Sequence, residues 1–357
     1  MIDPDAFADL LCDWCLDARE GDYVLVFTTT LAAPLVRALH RALITRGAWA
    51  PGVRIAVPGV AEDFYRLAPD ELLDNFPPQD LVEMERTDAH LTIQAPENTR
   101  ALAAIDPATI ARAARARAPV LEVRLSKRWC GTLWPTPALS QEAGMSDDDY
   151  AAFVNRALFL DRRDPVAAWR ELSDRQAALV DRLNQAREIR IEADGTDLRL
   201  RVDGRTWINS NGRRNMPSGE VFTGPLEDSA NGTIRFTVPS SPRGVSVEGV
   251  ELTFEDGRVT RATADRGQAY LDAALATDPG ARFLGELGIG TNAGIDRPTG
   301  STLLDEKMAG TIHLAVGRSF PETGGQNSSA LHWDLICDLR DGGRVTADGD
   351  PIELTPA

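Results

Sequence analysis

Residues 188–207, EIRIEADGTDLRLRVDGRTW, decide how the second half of this chain folds. Apolar and polar residues alternate at period two on both sides of Asp194-Gly195, which is typical of two strands joined by a tight turn. Further Asp-Gly pairs begin at residues 203, 256, 341 and 348, and the first half of the chain contains none. The sequence therefore predicts a mainly antiparallel β domain, of α+β character, over residues 188–357.

The preceding half has a different pattern, in which predicted helices and strands alternate along the chain. YVLVFTT, VRIAVPG, AHLTIQAP and VLEVRLS have the apolar and β-branched character of buried strands, with helical patterns between them. Strands separated by helices of this length favour a parallel sheet covered by helices. We predict an α/β domain with a mostly parallel sheet over residues 1–187, ending in the helix DPVAAWRELSDRQAALVDRLNQARE.

Charge and composition exclude several classes of partner. The chain has 357 residues and a formal net charge of −16. Such an acidic surface repels phosphate backbones and anionic lipids, so we expect neither nucleic acid nor membrane as a partner. The acidic start lacks the basic segment of a signal peptide. Cys12 and Cys15 lie in an amphipathic helical pattern, which favours core cysteines over a redox or zinc pair. We expect a reduced, cytoplasmic protein.

Residues 329–339, SALHWDLICDL, form an apolar run that nevertheless carries a histidine and two aspartates. As a strand, this run would have two distinct faces. Burying an imidazole beside a carboxylate is costly unless something pairs with them. The predicted core face consists of Leu331, Trp333, Leu335 and Cys337, and the opposite face of His332, Asp334, Ile336 and Asp338.

Other ionisable residues occupy similarly apolar segments. Glu220 lies in SGEVF, Glu286 in LGELG and His313 in GTIHLAVG. Several buried ionisable groups need a common counter-charge, which a divalent cation supplies. Imidazoles combined with carboxylates suit Zn, Co, Mn or Fe. The set therefore predicts a metal site.

The second half resembles the metalloaminopeptidase family of aminopeptidases T and S and PepS, the thermophilic metalloaminopeptidases. The collinear motifs that carry the resemblance read PSGEVFTGP, ELGIGTN, DEKMAGTIH and PETGGQNSSALHWD. They cover roughly residues 187–345, whereas the first half matches only loosely.

The resemblance implies a metal-dependent aminopeptidase that uses a metal-activated water to release N-terminal amino acids from peptides with a free N-terminus. It also implies a homodimer with two divalent metal ions (Zn, Co or Mn) in the second domain. Either Glu220 or Glu286 would be the catalytic proton carrier, and Glu306 is an outer candidate for metal binding. The implied metal ligands are Glu220, Glu286, His313, His332 and Asp334.

Phe320 departs from the family pattern. Seven residues after the His313 motif the family typically carries a tyrosine, proposed as a catalytic hydrogen-bond donor, whereas this chain reads GRSFPETGG. A phenylalanine can pack but cannot donate a hydrogen bond.

Two alternatives stay open on the sequence alone. His313, His332 and Asp334 would satisfy a mononuclear Fe(II) site, as in a ring-cleaving dioxygenase similar to the 2,5-dihydroxypyridine dioxygenases. The presence of Glu220 and Glu286 argues against this, because a single iron does not need them. The other alternative is a non-catalytic metal or peptide binder on the same scaffold.

Overall fold

The computed structural model describes residues 2–354, apart from the side chain of Arg243, and the chain divides into two compact units. Unit 1 consists of Met1–Val166 and Gly212–Met216. Unit 2 consists of Ala167–Asn211 and Pro217–Ala357. None of the helices in the described residues combines the length and apolar character that crossing a bilayer requires.

The strands account for the sheets of both units. In chain order they are β1 (Val24–Thr28), β2 (Gly52–Ile55), β3 (Ala89–Gln94), β4 (Arg128–Leu133), β5 (Glu188–Ala193), β6 (Thr196–Arg201), β7 (Ile208–Ser210), β8 (Asn215–Met216), β9 (Glu220–Thr223), β10 (Asn231–Arg235), β11 (Glu251–Glu255), β12 (Arg258–Thr263), β13 (Leu284–Gly290), β14 (Thr311–Gly317), β15 (His332–Asp338), β16 (Arg344–Ala347) and β17 (Asp350–Ile352).

Most of the helices precede residue 184. In chain order they are α1 (Pro4–Leu10), α2 (Ala33–Thr45), α3 (Val60–Leu67), α4 (Asp70–Leu73), α5 (Pro78–Glu85), α6 (Pro107–Ala116), α7 (Ala118–Ser126), α8 (Pro137–Glu142), α9 (Asp147–Ala157), α10 (Pro165–Leu183), α11 (Gln268–Leu275) and α12 (Thr302–Asp305). A π-helical turn continues α1 over Leu11–Cys15, and 3₁₀ turns span Thr30–Ala32, Pro242–Gly244, Pro279–Arg282 and Pro321–Thr323.

Helix α10 explains where the units divide. The predicted boundary after residue 187 follows this helix, whereas unit 2 already begins within it, at Ala167. Leu183 of α10 belongs to the hydrophobic core of unit 2. The buried Gln176 donates hydrogen bonds from Nε2 to the carbonyl oxygens of Ser210 and Glu220. The helix is therefore part of the β-rich unit.

Unit 1 contains a wholly parallel five-stranded sheet, sheet A, in the order β2-β1-β3-β4-β8. This confirms the predicted parallel α/β character. Strand β2 lies on one side of β1 and β3 on the other, so the direction of winding reverses between β1 and β3. Cys12 and Cys15 are buried free cysteines, as predicted.

One predicted strand of unit 1 is wrong. VLEVRLS lies in α7, and the strand follows it at Arg128–Leu133. Val120 and Val123, three residues apart, pack on the cluster of Leu25 and Met84, which is a helical rather than a strand spacing. The alternation of β-branched and charged residues in this segment fits the two-residue period of a strand as well as the 3.6-residue period of a helix.

Unit 2 contains two antiparallel sheets, as predicted. Sheet B has the order β12-β11-β10-β6-β5-β16-β17, and sheet C the order β15-β14-β13-β9-β7. The two sheets contribute side chains to one hydrophobic core, including Ile191 and Leu198 from sheet B and Ile289 and Leu314 from sheet C. One face of sheet C is therefore buried in the core of the unit, and polar side chains can lie on the opposite face.

Candidate metal centre

The face of sheet C opposite the core carries all five predicted ligands. On β15, Trp333, Leu335 and Cys337 point into the core, so His332 and Asp334 point the other way. In the register of the sheet, Ala315 of β14 pairs with both Glu286 and Asp334. These two carboxylates therefore lie in one row across the sheet, with a small residue between them.

Gly288 makes room for the imidazole of His313. The two residues are paired across β13 and β14. A Cβ atom at Gly288 would lie 2.0 Å from Cε1 of His313 and 2.2 Å from its Nε2. The ring therefore occupies the space that a Cβ atom at this position would fill, and any larger residue would displace it.

Two groups of side chains share Glu286. On one side, Nε2 of His313 lies 3.3 Å from Oε1 of Glu286 and 3.7 Å from Oε2 of Glu220. On the other, Nε2 of His332 lies 3.6 Å from Oε2 of Glu286 and 3.5 Å from Oδ1 of Asp334. Each oxygen of Glu286 thus faces a different imidazole, and each imidazole faces a second carboxylate.

Backbone carbonyls fix the orientation of both imidazoles. Nδ1 of His313 donates to the carbonyl of Glu306 at 3.1 Å, and Nδ1 of His332 donates to the carbonyl of Arg318 at 2.8 Å. Because a carbonyl oxygen only accepts, each Nδ1 carries a proton, and Nε2 is directed at the carboxylates. This arrangement is typical of histidines that bind a metal through Nε2.

Burial and mutual repulsion shift the pKa values of the cluster. Burial raises the pKa of Glu286, and the neighbouring carboxylates of Asp334 and Glu220 add to this. Burial would lower the pKa of His313, but Glu286 and the surrounding carboxylates outweigh it and raise the pKa to about 10. For His332 burial is likewise outweighed, by Asp334 and Glu286, and the pKa is raised to about 9. The cluster therefore favours positive charge at its centre.

Lys307 is the one ammonium group in contact with this cluster in the described part of the chain. Its side chain is fully buried, and Nζ lies 3.3 Å from Oε1 of Glu220. Nζ also donates to Oε1 of Glu306. Burial raises the pKa of Glu306 to about 8, against the opposing effect of Lys307. When both imidazoles are neutral, as metal binding requires, one lysine leaves an excess of carboxylates, which is costly at this depth without a further cation.

The donor set fits divalent metal ions. Ligand atoms of Glu286, His313 and Asp334 all lie within 4.8 Å of one another. Oε2 of Glu220 is buried and has no hydrogen-bond partner among residues 2–354. Nitrogen and oxygen donors around an uncompensated negative charge are suited to Zn, Co or Mn. The geometry of the described residues is thus compatible with a metal centre.

Phe320 lies beside the centre. Its ring contacts that of His332 edge to face at a centroid distance of 5.1 Å, and that of Phe222 at 5.7 Å. The position that the family resemblance associates with a tyrosine therefore adjoins a predicted ligand, but without a hydroxyl group.

Sequence reasoning assigned no role to three residues that shape this centre. Lys307 was recognisable as a charged residue in an apolar segment, although its partners were not. The sequence around Gly288 and Gln176 does not indicate their roles. The role of Gly288 depends on strand register, and that of Gln176 on the packing of α10.

The chain is similar in sequence and in structure to known proteins. The sequence profile of the thermophilic metalloprotease family, M29, matches residues 3–354. Aminopeptidase 2 of Geobacillus stearothermophilus is 32% identical, over 98% of this chain and 95% of its own length. Aminopeptidase T of Thermus thermophilus is 28% identical, over 89% and 85% respectively. The structure of wild-type AmpT from Thermus thermophilus superimposes with a TM-score of 0.84 at 26% identity, covering 98% of this chain and 96% of that one. No finding supports the dioxygenase alternative.

Proposed function

Because the chain belongs to the M29 family of thermophilic metalloproteases and is a metallopeptidase, we propose that unit 2 binds two divalent cations and removes N-terminal amino acids from peptides. The observation that carries the two-ion proposal is the division of the ligands. His313 with Glu220, and His332 with Asp334, form two groups on either side of Glu286.

The five predicted ligands would hold Zn, Co or Mn, and each oxygen of Glu286 faces a different imidazole. When bound, such ions supply Lewis acidity that activates a water and polarises the scissile carbonyl. With the ions bound, Nε2 of each histidine would be unprotonated, and the rings are held in place through Nδ1 by the carbonyls of Glu306 and Arg318. These backbone contacts pre-orient the ligands, so that little reorganisation accompanies binding.

A carboxylate of this centre would transfer the proton from the water to the leaving amine. We assign this role to Glu220, because its Oε2 has no hydrogen-bond partner in residues 2–354 and its Oε1 is held by Lys307. Hydrolysis forms a bond from the water oxygen to the carbonyl carbon and breaks the amide C–N bond. The proton lost by the water would pass through the carboxylate of Glu220 to the leaving amine. The excess of carboxylates would also attract the free N-terminal ammonium of a peptide.

The family resemblance and the buried free cysteines support a cytoplasmic homodimer. Exposed apolar side chains of α3 would be covered in a dimer, since Val60 and Leu67 are 59% and 77% exposed. Sedimentation velocity of the purified chain tests the dimer, and a single monomeric species would refute it.

Metal content tests the proposed centre. We expect two equivalents of divalent metal per chain by elemental analysis, and cleavage of leucine p-nitroanilide but not of its N-acetylated analogue. Glu286→Ala should lose both metal and activity, because both groups of ligands share this carboxylate. Asp338→Ala is the matched control on the same strand, since Asp338 pairs with Arg340 and lies outside the predicted ligand set. One equivalent of iron, with oxygen uptake and no peptide cleavage, would overturn the proposal.

A further inference from the structure

Two of the five predicted ligands remain accessible to solvent. The side chains of His332 and Asp334 are 18% and 11% exposed. Those of Glu220, Glu286 and His313 are at most 6% exposed. A peptide that reaches the centre must therefore approach on the side of His332 and Asp334. The residues that flank this opening decide which substrate side chains fit there.

Phe222 lies on the same face of sheet C as the predicted ligands. It pairs with Gly288 across β9 and β13, and Gly288 pairs with His313 across β13 and β14. Residues that are directly paired in a sheet point to the same face. Phe222 also follows Glu220 by two residues on β9, whereas Val221 between them belongs to the core. The ring of Phe222 therefore projects from the metal-binding face.

Phe222 and Phe320 together form an aromatic wall beside the opening. The ring centroid of Phe320 lies 5.7 Å from that of Phe222 and 5.1 Å from that of His332. Both phenylalanines are half-buried, so each still presents part of its ring to solvent. One side of the opening is thus apolar, although the predicted ligands next to it are polar.

The turn that carries Phe320 holds the aromatic wall in place. The carbonyl of Phe320 accepts hydrogen bonds from the backbone amide of Thr323 at 3.0 Å and from its hydroxyl at 2.7 Å. The carbonyl of Thr323 accepts from the backbone amide of Thr206 at 3.0 Å. A Cβ atom at Gly224 would lie 2.8 Å from Oγ1 of Thr323, so the turn packs directly on the chain just after Phe222. A substrate side chain would therefore meet a preformed surface, which reduces the cost of binding.

We propose that the aromatic wall receives the side chain of the substrate's N-terminal residue, so that the site selects large apolar residues such as leucine and phenylalanine. This inference rests on the proposed peptidase function and names its substrate class. Phenyl rings provide a large apolar contact surface but no hydrogen-bond partner. A carboxylate side chain would lose water there without compensation. An alanine side chain is too short to cover the wall.

Steady-state hydrolysis of aminoacyl p-nitroanilides by the metal-loaded full chain tests this proposal. We expect kcat/KM for the leucine and phenylalanine substrates to exceed that for the alanine substrate by at least about tenfold. The glutamate substrate should be the poorest of the set. Calorimetric titration gives a second measurement that needs no turnover, and L-phenylalanine should bind at least about tenfold more tightly than L-alanine.

Phe222→Ala should lower the leucine-to-alanine ratio of kcat/KM by about tenfold. Phe320→Ala, in a turn rather than a strand, should also lower it and covers the case that Phe222→Ala does not fold. Phe320→Tyr keeps the ring and should preserve the ratio even if kcat rises. Phe283→Ala is the matched control, because Phe283 is a half-buried phenylalanine of the same unit whose ring faces Arg258.

The outcomes separate this inference from the proposed function. Cleavage of the leucine and alanine substrates with equal kcat/KM would overturn the inference and leave the peptidase function standing. A highest kcat/KM on the glutamate or lysine substrate, equal affinity for the two amino acids, or an unchanged ratio in a folded Phe222→Ala would do the same. Failure to cleave any of the anilides would overturn the proposed function, and this inference with it.

Discussion

Replacing Gly288 by alanine tests whether the face of sheet C opposite the core is a metal centre. The new Cβ would lie 2.0 Å from Cε1 of His313, whereas non-bonded carbon atoms approach to about 3.5–4.0 Å. The ring must therefore move by about 1.5 Å. The ring cannot rotate freely, because His313 is 1% exposed and its Nδ1 is hydrogen-bonded to the carbonyl oxygen of Glu306.

We expect Gly288→Ala to destabilise the fold by about 1–3 kcal/mol, the usual cost of overpacking. Displacing a ligand by about 1 Å or more should lower kcat/KM by about 100-fold. Metal content by elemental analysis and hydrolysis of leucine p-nitroanilide measure the effect. Gly131→Ala is the matched strand control, because its Cβ would lie no closer than 3.3 Å to the side-chain oxygen of Asn215 and 4.0 Å to the carbonyl oxygen of Arg214. Full metal content and activity in Gly288→Ala would refute the assigned register and role of His313.

Three further predictions concern the neighbours of this imidazole. Phe320→Tyr restores a hydroxyl beside His332, so kcat should rise by up to about 10²–10³ with little change in KM; an unchanged kcat in steady-state assays would contradict this. Lys307→Met leaves the buried Glu220 unpaired and should cost the metal-free protein about 3–5 kcal/mol in the free energy of unfolding. Denaturant titration measures this cost, and excess metal should recover more stability in the variant than in the wild type. In the metal-free protein the pKa values of His332 and His313 are raised from 6.5 to about 9 and about 10. Their ion pairs therefore stabilise the fold fully below pH 6.5, and melting temperatures should fall as the pH rises through 9 to 10.

The elements that sequence predicts well are those whose signal is local. The Asp-Gly hairpins are examples, since Asp256 and Gly257 both adopt positive φ in the turn between β11 and β12. The alternation around Trp333 likewise predicts which face of β15 meets the core. His332 and Asp334 follow from that alternation, because a spacing of two puts them on the same side.

What sequence does not reveal depends on contacts between distant segments. Gly288 acquires its role only because β13 and β14 pair in one register. The partners of Lys307 belong to different strands and turns, so its role could not be read from its neighbours. VLEVRLS had a pattern that suits either a strand or a helix, and packing against Leu25 and Met84 decided for the helix.

The order of the ligands along the chain has a consequence for biosynthesis. The predicted ligands begin with Glu220 on β9 and end with Asp334 on β15, and sheet C cannot close until β15 has been made. A ribosome-bound chain that stops before β15 lacks both His332 and Asp334. Because domains fold as units during synthesis, sheet C is also incomplete at that stage. We therefore expect metal loading to follow the synthesis of β15. The growing polypeptide would stay free of peptidase activity until β15 has been translated.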